Sequence, residues 1–151
     1  MYEENARRIR TVLAAINPKL AMDVIGLGNS DSLITVGTRL ERGDFVGLLP
    51  DRSINGDGQI SCPFLGSPAA FPVGPFQMAD LLQRPVVLMI GIYRGGRRYE
   101  VHFERLSDAA EPLTRRRTER AEAMLRRYVE RIEYYCRQAP FNWFNFYDFW
   151  A

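Results

Sequence analysis

The chain is poor in several residue types, and each shortage excludes something. Lysine occurs once, as Lys19, so the remainder of the 20 basic residues are arginines. Histidine also occurs once, as His102, and no Ser-His-Asp or Cys-His arrangement can be assembled around it. The two cysteines, Cys62 and Cys136, lack ligand spacing and make no disulfide framework, so a reducing compartment is the simpler expectation and no metal site is expected. No signal-peptide pattern and no bilayer-length apolar run are present, which points to a soluble or peripheral protein. The net charge is only +2 and no nucleic-acid motif accompanies the arginines, so a nucleic-acid partner is not expected. Gly26-Leu27-Gly28 follows a predicted strand, but the third glycine of a dinucleotide fingerprint is missing. The charge that is present is carried by guanidinium forks, which suit carboxylates and phosphates.

The 151 residues are 46% hydrophobic and 25% charged, which fits a single folded domain over residues 1–151. Apolar residues at helical spacing (Ala6, Ile9, Leu13, Ile16) predict a helix over 3–16, ended by Pro18. A short strand over 21–25 follows. Ser30 as N-cap and Gly43 as C′ residue then bound a second helix, with Leu33, Ile34, Gly37 and Leu40 inward. Phe45 to Leu49, closed by Pro50, reads as a buried strand. Prolines at 63, 68, 72 and 75 predict an irregular, rigid loop between that strand and a third helix over 75–83. Phe76, Ala79, Leu82 and Met78 are its inward candidates. Val86 to Tyr93 is apolar on both faces and reads as a central strand. Arg94-Gly95-Gly96-Arg97 is a hairpin signal, and Tyr99 to Glu104 returns as a half-exposed antiparallel strand with His102 toward solvent. The longest helix covers 114–138 on a stripe of Ala121, Met124 or Leu125, Tyr128, Ile132 and Tyr135. The expected fold is therefore α/β: a mixed, largely parallel sheet flanked by helices, with one antiparallel hairpin and a long C-terminal amphipathic helix.

Three constellations bear on chemistry. Asp51 and Arg52 stand where the predicted strand leaves the sheet, the edge at which open α/β sheets bind ligands. The plain alternative is a sheet-edge loop with a surface ion pair. The arginines of the long helix fit a solvated face with Glu–Arg pairs, or contact with anionic lipid head groups. Seven of the eleven residues from Pro140 to Trp150 are aromatic. They fit a clasp on the core, with one or two rings left for a bilayer interface.

Several of these pieces resemble one family. Gly43-Asp44-Phe45-Val46-Gly47-Leu48-Leu49-Pro50-Asp51, Pro63-Phe64-Leu65-Gly66-Ser67-Pro68-Ala69, Phe71-Pro72-Val73-Gly74-Pro75, the stretch Pro85 to Glu104 and Ala139-Pro140-Phe141-Asn142-Trp143-Phe144 are similar, in order and spacing, to the C-terminal half of the bacterial lipid A biosynthesis acyltransferases, within the lysophospholipid acyltransferase-like superfamily. The resemblance implies transfer of a fatty acyl group from an acyl-carrier-protein or coenzyme A thioester to a hydroxyl of a glycolipid or other lipid acceptor. It implies no cofactor, and a peripheral location on the cytoplasmic face of the bacterial inner membrane. By the resemblance Asp51 is catalytic, and Arg52, Phe64, Leu65, Gly66, Pro68 and Arg94 face substrate. Arg116, Arg120, Arg127, Trp143 and Trp150 are the candidates for an anionic membrane surface. The family's histidine followed four residues later by an acid is absent, since Ser107 holds that offset from His102. That signature is expected before residue 1, in a part the chain has lost or does not include. A family arginine has only Arg7, Arg8 and Arg10 as substitutes. The alternative function is a non-catalytic module that binds lipid or acyl carrier protein.

Overall fold

The computed structural model describes residues 11, 14–15, 25, 30–51, 58–108, 116–144 and 149–150. The expected helix over 3–16 and strand over 21–25 lie largely outside the described residues, as do Arg7, Arg8, Arg10 and Arg52. The chain forms two compact units, residues 1–47 and 48–151.

In the first unit, helix α1 (Ser30–Glu41) has Asp31 in its first turn and Arg39 in its last, each matched to the helix dipole. Gly43 follows at φ +86°, the left-handed stop that its position predicts. The buried face is Ser32 and Val36, one turn apart. Ile34, expected inward, is exposed, while Leu33, Gly37 and Leu40 are half-buried. Residues 44–49 are not a strand, and Phe45 and Leu49 are exposed. An apolar run makes a strand only when a neighbour bonds its backbone, and none of the described strands does so here.

The second unit is built on two hairpins and two helices. Strands β1 (Gln59–Phe64) and β2 (Ser67–Pro72) pair antiparallel, with Phe64 opposite Ser67 and Gln59 opposite Pro72. Leu65 and Gly66 form the turn at φ +52° and +93°. Two consecutive positive values are what a two-residue hairpin turn requires. The prolines that predict an irregular loop do not prevent the ladder, because of where they fall. Antiparallel partners alternate between bonded and unbonded pairs. The pairs flanking the turn and, at the far end, Gly58 with Val73 are bonded, the latter through Val73 N–H to Gly58 O at 3.0 Å. Pro63, Pro68 and Pro72 all occupy the alternate, unbonded pairs, where no N–H is needed. Cys62, Phe64, Ala69 and Phe71 point inward from this hairpin.

Helix α2 (Gly74–Leu82) carries Pro75 in its first turn, the position that tolerates a missing N–H. It buries Phe76 and Asp80, one turn apart. Met78, Ala79 and Leu82 are half-buried. Strands β3 (Val86–Tyr93) and β4 (Tyr99–Ser107) form the second hairpin, with Met89 opposite Phe103 and Tyr93 opposite Tyr99. Gly95 and Gly96 take positive φ in its tip. A bulge beside Val86 and Val87 turns both Leu106 and Ser107 inward.

Helix α3 (Arg117–Gln138) is the spine of the unit. Ala121, Met124, Leu125, Tyr128, Val129, Ile132, Tyr135 and Cys136 are its buried residues, the predicted stripe widened by two. A 3-10 turn over Pro140–Asn142 follows.

Two parts of the expected architecture are corrected. Among the described residues there is no parallel pairing; the strands form two separate two-stranded antiparallel sheets. Each strand bonds its chain neighbour through a tight turn, whereas parallel pairing needs a long crossover. For the same reason β3 is not central. Leu88 and Ile92 are buried on one face, but Val87, Met89 and Tyr93 are exposed on the other. On β4 the expected orientation is reversed: Tyr99, Val101 and Phe103 are exposed, while His102 and Glu104 are half-buried.

The polar face of β4 is turned inward because α3 supplies its partners. Arg131 donates to Glu104 through Nε and Nη2, and Tyr135 donates its hydroxyl to the same carboxylate. The His102 ring lies 5.0 Å from the Tyr135 ring, and its buried Nε2 makes no hydrogen bond. The Arg131 bonds first, and then Tyr135, hold the Glu104 carboxyl below its ordinary range. A carboxyl that loses its proton more readily folded than unfolded stabilises the fold above the unfolded pKa, and that contribution fades as pH falls through the lowered value. Glu104→Gln should therefore lower the urea midpoint at pH 7, and the deficit should shrink as pH drops below about 4.5. A deficit independent of pH from 7 to 3 would show that the charge plays no part.

Candidate functional site

Asp51 stands at the start of the second unit, in a turn with Pro50, and is half-buried. Its charge is felt by Tyr128, midway along α3. Burial first, and then the negative charge of Asp51, raise the Tyr128 phenol well above its ordinary pKa. The phenol therefore stays protonated, and its ring packs on Phe76 of α2 at 5.5 Å. The Asp51 carboxylate can accept a hydrogen bond, and the Tyr128 phenol can donate one.

The other expected substrate residues gather farther along α3, at its C-terminal end. Phe64 is fully buried and packs against Trp143 at 5.3 Å, Phe71 at 5.6 Å and Phe149 at 5.6 Å. It is a core residue, not one that faces a ligand. Leu65 donates its backbone N–H to Glu133 Oε2 at 3.2 Å, which ties the β1–β2 turn to α3. Gly66 and Pro68 are exposed on that turn. Arg94, at the foot of the β3–β4 tip, is held by Glu100 through bonds of 2.8 and 2.6 Å. Tyr128 and Glu133 are five residues apart on α3, about 7 Å along the axis.

The membrane candidates separate as well. Arg116 is exposed at the start of α3. Arg120 points inward and grips Asp80, and Arg127 donates to Leu106 O at 3.2 Å. Trp143 is half-buried in the aromatic cluster, and Trp150 donates its indole N–H to Phe64 O at 3.3 Å. The tail thus acts as a clasp. Among the described residues its exposed rings are Phe141, Phe144 and, to a lesser degree, Trp150; the sequence reading did not single out the first two.

Asp80 was also missed. It is an acid on the inward face of α2, one turn from Phe76, opposite an arginine-rich helix; that juxtaposition is its only signal in the sequence. It lines a cleft with Gln83, Arg84, Ser107, Asp108 and Arg120 that has room for about one water. Both thiols are held protonated by burial, that of Cys136 up to about 11, so neither is an activated nucleophile. Among the described residues no three His, Cys, Asp or Glu side chains converge on a possible metal position.

The family model for bacterial lipid A biosynthesis acyltransferases matches residues 6–151. The chain belongs to this acyltransferase family. No curated protein and no solved structure matches it. Among the described helices, none is long and apolar enough to cross a membrane.

Proposed function

We propose that the protein takes part in transfer of a fatty acyl group from an acyl-carrier-protein or coenzyme A thioester to a hydroxyl of a glycolipid or related lipid, at the cytoplasmic face of the inner membrane. The acceptor oxygen attacks the thioester carbonyl and the new C–O bond replaces the C–S bond. The hydroxyl proton leaves with the departing thiol. In this reading Asp51 is the acid nearest the chemistry. The observation that carries the reading is the family match across residues 6–151. The half-buried acid within electrostatic reach of a buried phenol supports it.

The test is acyl transfer with both donor types, on the chain and on Asp51→Ala. The substitution should reduce turnover at least about 100-fold, the scale of losing one positioned acid–base group. The melting temperature should stay within a few degrees. Wild-type turnover in the variant would remove Asp51 from the site. Donor binding without turnover by the parent chain would fit the second reading, a module that binds lipid or acyl carrier protein, or the absence from this sequence of the family's histidine–acid signature.

A further inference from the structure

The β3–β4 tip and the 3-10 turn are tied together at one point. Tyr93 donates its N–H to Asn142 Oδ1 at 2.6 Å, and Asn142 Nδ2 returns to Tyr93 O at 3.5 Å. This pair of contacts sets a group of rings beside a group of cations. Phe141 is 91% exposed, Phe144 69% and Tyr99 69%. Arg97 and Arg98 occupy the tip, both exposed. Arg94 is held by Glu100, but among the described residues Arg97 and Arg98 meet no carboxylate. Rings left in water this fully forgo the stabilisation that burial would bring. Exposed aromatic rings near arginines that meet no carboxylate match an anionic bilayer in charge and chemistry, because the rings can enter the head-group layer while the guanidinium forks meet phosphates.

We propose that the β3–β4 tip and the Pro140–Asn142 turn together form the surface on which this protein docks to an anionic bilayer. The inference rests on the lipid-surface part of the proposed function and gives it a face. On the arginine-rich helix, by contrast, Arg120 is taken up by Asp80, and Arg127, though exposed, donates to Leu106 O.

The test uses the full 151-residue chain. Its co-sedimentation is measured with phosphatidylglycerol–phosphatidylethanolamine vesicles and with phosphatidylcholine vesicles, across a salt series. Three variants are compared: Arg97→Gln with Arg98→Gln, Phe141→Ala with Phe144→Ala, and Arg42→Gln, an exposed arginine just after α1, as a control. All positions are exposed, so the melting transitions should match the parent. The parent should bind the anionic vesicles, and less as salt rises. The arginine pair should weaken that binding roughly 30-fold, at about 1 kcal/mol per cation near the surface. The phenylalanine pair should weaken it about 10-fold or more at every salt concentration, and Arg42→Gln should leave it unchanged. Equal binding to phosphatidylcholine, no binding by the parent, or parent-like binding by both double variants would overturn the proposal. Acyl transfer in detergent, run on the same proteins, separates the two readings. Its absence throughout would exclude catalysis by this chain alone and leave the vesicle result to judge the docking surface.

Discussion

Asp80→Ala is expected to lower the unfolding free energy by about 3–5 kcal/mol, the usual consequence of removing one partner from a buried ion pair. Only 5% of the Asp80 side chain and 10% of the Arg120 side chain remain accessible. Arg120 meets the carboxylate fork to fork, Nε to Oδ1 at 2.7 Å and Nη2 to Oδ2 at 2.9 Å. Arg117 adds a weaker, more exposed contact at 3.8 Å. The pair joins α2 to α3, so alanine both deprives a buried guanidinium of its carboxylate and loosens a helix contact. Urea denaturation followed by circular dichroism gives the magnitude. A companion variant separates charge from packing: Asp80→Leu with Arg120→Met removes both charges and should recover most of the loss. A cost below about 1 kcal/mol for Asp80→Ala would place the pair among ordinary surface salt bridges.

Phe64→Ala is expected to cost a similar 3–5 kcal/mol, from lost transfer energy and the cavity left behind. Phe64 is fully buried, and its ring meets those of Phe71, Trp143, Phe149 and Trp150. Its removal undermines both the β1–β2 hairpin and the returning tail. The chain has two tryptophans, and both are in this cluster, so their fluorescence should shift to the red as the packing fails. Phe64→Leu should cost much less. Substrate contact, the role the family resemblance implies, makes the opposite demand: activity lost with stability intact. A Phe64→Ala protein with the parental urea midpoint would decide for that role and against the packing described above.

The elements that could be read from the sequence are those whose pattern is local. Val86–Tyr93 and the glycine tip after it follow from β-branched residues and from the two glycines that accept positive φ. The long helix was legible because its apolar residues recur at helical spacing whatever they meet. The β1–β2 hairpin was not, because a proline count ignores register. The same three prolines would break a ladder if shifted by one position. Phe45–Leu49 misled in the other direction. Its residues favour a strand, but a strand requires a partner backbone. At the site, Asp51 could be named from its neighbours along the chain, whereas the influence of its charge on Tyr128 links residues far apart in sequence.

From residue order alone came the three described helices, the second hairpin and the acyltransferase family. Three-dimensional packing decided the antiparallel pairing, the inward turn of Glu104 and His102, and the burial of Phe64. It also decided which arginines are occupied by carboxylates and which remain at the tip. The physical reason is that propensity and spacing act within a few residues. Burial and ion pairing depend on which surfaces meet, and only the folded chain brings those together.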